Sequence, residues 1–426
     1  MTAAGSAEHV VVIHRWRASG GLYQDYLDHL AVDVSYIVPP AAAGSVPRTA
    51  AGVEVVDRID DLVALANAAG RLRRQVGPPT RIVALAADDQ DAAAELRVLL
   101  GCAGQRPEDR ATLRDRYAML TAVAAAGIEV QRFAVVSQGS DVLRLLAEQP
   151  APVLLTPRFG SAEAVELLIR TPDDAERLGG VLAEPMLARA YPAATRYAVA
   201  GVWDGSRLVS WRAARRLGTE PSAPGDPAGG WRGWVELDGD PAGTASGGPA
   251  GPVAPDRLAE LAGAALGALV SGPAAVYVAI SARDRPGRPP ELSFDRASTG
   301  MPGSELPLLW QEVHGVDLAG VALAGQLDRP LPRLAGLRPM PEADGETGRL
   351  GGWLQVFLPV PCRVTAIDFT PGEPAPYAAV LPRVGERLPA GERVAAGLRF
   401  RAARTAELER AVHAAADGLR LRCEPL

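Results

Sequence analysis

Toward the N-terminus, short apolar runs alternate with stretches of helical periodicity. Residues 9–14 (HVVVIH) hold four consecutive apolar residues between two histidines, the pattern of a strand buried on both faces. Residues 22–30 follow with helical spacing, and Asp33–Val38 (DVSYIV) reads as a second strand. Leu62–Gln75 predicts a helix, residues 81–86 (RIVALA) a third strand, and residues 91–100 another helix. Strands separated by helices predict a parallel sheet with helices packed on it, and so an α/β protein that begins with a Rossmann-like half. No GxGxxG follows the first strand, which argues against a nicotinamide dinucleotide.

Further along, residues 110–127 predict one helix closed by a glycine. A short strand at 133–136, a helix at 141–148 and a strand at 152–156 lead into a turn at 157–161. The runs 199–203 and 207–211 flank Asp204-Gly205, a hairpin signal. Residues 218–256, rich in Gly, Pro, Ala and Ser, predict a long loop broken by a strand at 234–237. A helix at 257–270, a strand pair at 275–281 and 291–294, and a final helix at 405–419 complete the pattern. After residue 323 the composition shifts to Pro and Arg, a candidate boundary.

Composition narrows the function classes. At 426 residues, two to four packed units are expected. A net charge of −6 gives no reason to expect nucleic acid or a membrane surface as partner. No apolar run is long enough to span a bilayer and residues 1–7 carry no signal-peptide pattern, so a cytoplasmic protein is expected. Cys102, Cys362 and Cys423 make neither a disulfide framework nor a metal knuckle, and the five histidines show no ligand spacing. All 44 basic residues are arginine, and Asn67 is the sole asparagine.

Several stretches in order resemble the ATP-grasp superfamily, in particular actinobacterial carboxylate–amine ligase-like proteins. They are HRW at the first strand end, RDRYAMLTAVAAAGIEV, PVLLTPRFGSAEAV, VWDGSRLVSWRAAR, LLWQEVHGVDL and the closing PCRVTAIDF to RFRA. The resemblance implies an N-terminal pre-ATP-grasp domain over residues 1–106, a small subdomain over 107–188, a large one over 189–326 and a C-terminal subdomain over 327–426. Such ligases activate a carboxylate as an acyl-phosphate, which an amine then displaces. Catalysis of that kind is positioning and charge neutralisation.

Carried onto this chain, the nucleotide-binding lysines of the pattern fall on Arg116 and Thr156, and the hinge glutamate on Ala190. The magnesium carboxylates fall on Ile280 and Arg296, with Asp295 one place away, and a later arginine falls on Gly300. The resemblance thus implies a degenerate nucleotide and metal site, a pseudoenzyme by the family's standard, with no metal ligands. The expectation is a protein without a cofactor, repurposed for ATP-independent chemistry on a carboxylate- or amide-containing small molecule in natural-product biosynthesis. ATP with magnesium, in an active amide-forming ligase where Arg116 meets phosphate, is the alternative. A non-catalytic partner of an active ligase is the second, and a homodimer is open.

Candidate site residues follow from chemistry and place. His14 is a candidate catalytic group, and Arg15 and Trp16 candidate substrate contacts, at the end of the first strand where open α/β sheets bind ligands. Arg158, after a strand, suits a two-pronged grip on a carboxylate. Trp211, Arg212, Arg215 and Arg216 cluster after the hairpin, with alternation sending Trp211 and Arg212 to opposite faces. Glu312 and His314, with Asp317 nearby, are candidates for acid–base work. Packing or solvation is the competing role for each.

Overall fold

The computed structural model describes residues 8–15, 20–148, 152–159, 166–179, 181–224, 230–238, 253–285, 287–300, 305–327, 329, 350–388 and 394–426. The chain is a mixed α/β protein. Its N-terminal sheet contains β1 (His9–Ile13), β2 (Asp33–Val38), β3 (Gly52–Val55) and β4 (Arg81–Ala84), in the order β3-β2-β1-β4. All its pairings are parallel, and β1 is buried at every position, with helices and neighbouring elements covering both faces. On one face pack α1 (Leu62–Gln75), capped by the Asp61 carboxylate, and α2 (Gln90–Leu100), closed by Gly101 at φ 70°.

The predicted helix at 110–127 is two helices, α3 (Pro107–Arg114) and α4 (Arg116–Ala125). Asp115 between them is extended, and its carboxylate accepts from the Tyr117 and Ala118 amides, so it starts a new helix where periodicity suggested continuity. Similarly, the stretch predicted helical at 22–30 holds only a 3₁₀ turn, Gly20–Asp25.

A small antiparallel sheet follows, built from β5 (Phe133–Gln138), β6 (Val153–Pro157), β7 (Leu167–Ile169) and β8 (Val181–Ala190), with α5 (Gly139–Glu148) and α6 (Pro172–Glu176) against it. An eight-stranded sheet forms the centre of the molecule. Its strands are β9 (Thr195–Trp203), β10 (Leu208–Gly218), β11 (Gly230–Glu236), β12 (Ala274–Arg285), β13 (Arg288–Thr299) and β14 (Leu350–Phe357), joined by β16 and β18 below. The predicted loop at 218–256 contains β11; its segments 225–229 and 239–252 lie outside the described residues. One face of this sheet packs on α4 and α7 (Pro255–Leu269). At one end of the other face, α8 (Glu305–Leu309) runs into a π-helical turn, Trp310–His314, and then α9 (Leu318–Leu327).

Helix α9 is apolar around its whole circumference because it is wedged between the N-terminal and central sheets. Gln326 on it bonds the Ala84 backbone in both directions, at 2.9 and 2.8 Å. A three-stranded sheet of β15 (Cys362–Phe369), β17 (Arg387–Leu388) and β19 (Leu419–Pro425) closes the chain, together with β16 (Ala378–Val380), β18 (Val394–Ala402) and α10 (Thr405–Gly418). The central sheet is continuous across the expected 326/327 boundary, since β11 pairs with β14. Among the described residues no helix is long and apolar enough to cross a membrane.

Candidate functional site: an arginine-ringed cleft

Strand register determines what faces the small sheet. On β10, Arg212, Ala214 and Arg216 alternate onto one face. Ala214 lies opposite Ala198 of β9, and Arg212 opposite Ala200. One strand further, Tyr277 and Ala279 of β12 oppose Ala200 and Ala198, and Arg296 of β13 opposes Ala279. On the other side, Glu236, Trp234 and Arg232 of β11 oppose Ala214, Arg216 and Gly218, with Trp353 and Gln355 of β14 beyond. The result is a floor of four alanines, Ala198, Ala200, Ala214 and Ala279, edged by longer polar and aromatic side chains. Small residues at the centre leave the space; long ones at the rim supply the chemistry.

Above that floor is a cleft of about 1380 Å³, open mouth included. Leu154, Glu166, Arg189 and Tyr191 contribute from the small-sheet side, and Glu305, Leu306, Leu309 and Trp310 from the α8 end. Six arginines line it: 189, 196, 212, 216, 232 and 296. Four carboxylates line it too: Glu166, Glu236, Asp295 and Glu305.

Three of the carboxylates are committed to neighbours. Asp295 accepts from Arg189 at 3.4 Å and from the Ser281 hydroxyl, which itself accepts from Arg196. Glu305 accepts from Arg399 at 2.8 Å. Glu236 receives His314 Nε2 at 2.9 Å on both oxygens and the Gly351 amide at 2.7 Å. Arg212 donates to the Trp211 carbonyl at 2.9 Å, and Arg216 to the Thr219 carbonyl at 3.2 Å. Among the described residues no carboxylate lies within 4.0 Å of either guanidinium, and the buried Nε of Arg212 has no acceptor. Arg189 Nε and Arg196 Nε are likewise buried without acceptors.

Burial pulls the Arg212 pKa down, and nearby Glu236 only partly offsets it. Burial would also lower Arg296, but Glu166, helped by Tyr277 and Asp295, holds it above its ordinary value. Burial would raise Glu166, yet Arg296, Arg216, Arg189 and Arg232 hold it below the usual carboxylate range. The cleft is therefore a place where positive charge is concentrated and partly desolvated, the condition under which an anion is bound strongly.

The residues expected from sequence are distributed differently. Arg212 is on the rim of the floor. Trp211 points to the opposite face of the sheet and is buried in the core. Arg215, also on that face, pairs with Glu409 of α10. Arg15 forks onto Asp89 at 3.0 and 2.9 Å, and Arg158 onto Asp115 at 3.0 and 2.6 Å between Tyr117 and Phe159. Those two guanidiniums are spent on carboxylates of the chain itself and are not on the cleft wall. His14 is buried edge-on to Tyr23, with Nε2 at 3.0 Å from the Ser45 hydroxyl. Trp16 lies outside the described residues. Arg116 donates to the Pro157 carbonyl at 3.2 Å. Glu312 accepts from Arg399 and Tyr377, Asp317 accepts from Tyr26, and His314 reaches the cleft through Glu236. Sequence reasoning did not reach Arg189, Arg196, Arg232, Glu166 or the alanine floor. The one available signal was the alternation Arg-x-Ala-x-Arg on β10, beside Arg-x-Ala-x-Ala on β9.

The chain has the ATP-grasp fold, shared with solved structures that it resembles. No family model and no curated protein sequence matches it. Among solved structures, L-amino acid ligase from Bacillus licheniformis is 14% identical with a TM-score of 0.69, the match covering 98% of this chain and 99% of the ligase. N5-carboxyaminoimidazole synthase from Aspergillus clavatus, in complex with ADP and 5-aminoimidazole ribonucleotide, is 13% identical (TM-score 0.62, covering 96% and 98%). The biotin carboxylase domain dimer of Hydrogenobacter thermophilus 2-oxoglutarate carboxylase, with MgADP, ADP and bicarbonate, is 13% identical (TM-score 0.64, covering 98% and 91%).

These comparisons correct the expectation that the protein uses no cofactor: proteins of this fold are found holding ADP, and one holds it with magnesium. The residues present fit the two parts of that group unequally. Six guanidiniums suit a polyphosphate. Magnesium needs several converging oxygens, and among the described residues no group of three acidic, histidine or cysteine side chains converges. Asp295 is occupied by Arg189 and Ser281, and the neighbouring position on β13 is Arg296.

Proposed function

We propose that the chain binds an anionic small molecule, bearing carboxylate or phosphate, on the alanine floor, and works on it in the manner of a ligase. The observation carrying this reading is the pair Arg212 and Arg216, aimed over small residues with no carboxylate of the chain within 4.0 Å among the described residues. Desolvating a cation without pairing it is costly, and a bound anion removes the cost. In this reading Arg212 and Arg216 hold the anionic group. Glu236, oriented by His314 and the Gly351 amide, is the carboxylate on the same floor that takes a proton from an incoming amine. The fold relatives support the ligase class: one is named an L-amino acid ligase, and another is bound to ADP and a ribonucleotide.

Calorimetric titration with pyrophosphate, ADP and neutral adenosine, each with and without magnesium, tests this. Both anions are expected to bind in the micromolar range and adenosine far more weakly. Equal affinity for adenosine and ADP, or silence from both anions, overturns the reading.

A further inference from the structure

Of the cleft carboxylates, Glu236, Glu305 and Asp295 each accept direct hydrogen bonds. Glu166 does not: its Oε1 stands 3.7 Å from Arg296 Nη1, beyond hydrogen-bond distance, and it accepts none among the described residues. Its side chain is only 16% exposed. The backbone beside it is fixed, because Leu167 bridges Ser222 and the Leu168 amide donates to the Ser222 carbonyl at 2.9 Å. Leu167 and Leu168 also pair with Leu155 and Leu154 of β6. A carboxylate is thus held over the arginine wall by its backbone, close enough to neutralise guanidinium charge and too far to use the N–H donors.

We propose that Glu166 is an internal competitor for the cleft's anionic ligand, occupying the electrostatic place of that ligand's negative group beside Arg296. This rests on the cleft being an anion site. The carboxylate masks positive charge while the cleft is empty and sets a threshold for entry. A ligand must bring more negative charge, or better-directed acceptors, than one carboxylate at 3.7 Å.

The probe is inorganic pyrophosphate, titrated calorimetrically into the full chain. Glu166→Gln is expected to tighten binding by about tenfold or more, since it removes a like charge from the site. Glu166→Asp, which keeps the charge, should not tighten binding. Glu184→Gln, an exposed carboxylate on β8, controls for net charge and should leave affinity unchanged. Melting curves establish that each variant is folded, and Glu166→Ala replaces the Gln variant if that one is not. Equal or weaker pyrophosphate binding in Glu166→Gln overturns the inference while leaving the anion site standing. Absence of binding in both wild type and Glu166→Gln removes the site, and the inference with it.

Discussion

Arg212 and Arg215 sit three residues apart on one strand and face opposite ways, so replacing each separates ligand binding from folding. Arg212→Met keeps an unbranched stem and removes the charged head. In the free protein this guanidinium makes one hydrogen bond to a backbone carbonyl at 2.9 Å, has a buried Nε without an acceptor, and is within 4.0 Å of no carboxylate among the described residues. Little native stabilisation is lost, and a desolvated cation is removed, so the melting temperature should stay constant or rise. Binding behaves differently. A charge-assisted hydrogen bond to an anion contributes about 1.5–3 kcal/mol, which corresponds to roughly a 10- to 150-fold loss of affinity. Arg215→Met should do the reverse. It strips the partner from Glu409 in a pair whose side chains are 10% and 11% exposed, and breaking such a pair costs about 3–5 kcal/mol. Denaturant unfolding gives the stability, and quenching of Trp234 and Trp353 at the cleft wall gives the affinity. If Arg212→Met binds pyrophosphate as tightly as wild type, or if it unfolds as readily as Arg215→Met, the assignment of faces to roles is refuted.

Other expectations bear on the remaining parts of the site. Ala214→Leu places a branched side chain on the floor and should weaken anion binding by about tenfold or more, with the melting temperature little changed. His314→Leu leaves the Glu236 carboxylate, only 3% exposed, with the Gly351 amide as its remaining hydrogen-bond donor among the described residues. It should cost about 3 kcal/mol in denaturant unfolding, and a cost below about 0.5 kcal/mol would show the pair to be ornamental. Asp115 has its pKa raised by burial but lowered more by Arg158 and the Tyr117 and Ala118 amides, for a net depression. A depressed carboxylate contributes stability that is present above its unfolded value near 4 and lost as pH falls through the folded one. Asp115→Asn keeps the helix cap and removes the charge, so it should be less stable than wild type at neutral pH, and the deficit should close as pH falls below ~4. A deficit that persists unchanged into acid would contradict the ion-pair account.

The parallel N-terminal sheet was legible because HVVVIH and DVSYIV each carry four apolar residues in six, a density that double-sided burial imposes. Strands interrupted by helix-breaking or small residues were not. β8 carries Pro185 within VLAEPMLARA, and β14 has Gly351 and Gly352 directly after its first residue. Those glycines serve packing: a Cβ at Gly351 would stand 2.8 Å from Leu309, which local pattern does not reveal. The candidate site was legible at Arg212 and Arg216 and little beyond. Alternation tells which residues share a face, but not which face meets the small sheet; that depends on β8 and on α8, far away in sequence. Arg15 and Arg158 illustrate the converse difficulty. Each had the right residue type at a strand end, and only tertiary structure puts Asp89 and Asp115 within reach.

A crystal structure of the protein grown with saturating pyrophosphate addresses the anion site most directly. The phosphate oxygens should be ordered over Ala198 and Ala214, within hydrogen-bond distance of Arg212 and Arg216. Pyrophosphate seen only outside the cleft, with that floor vacant, would contradict the account.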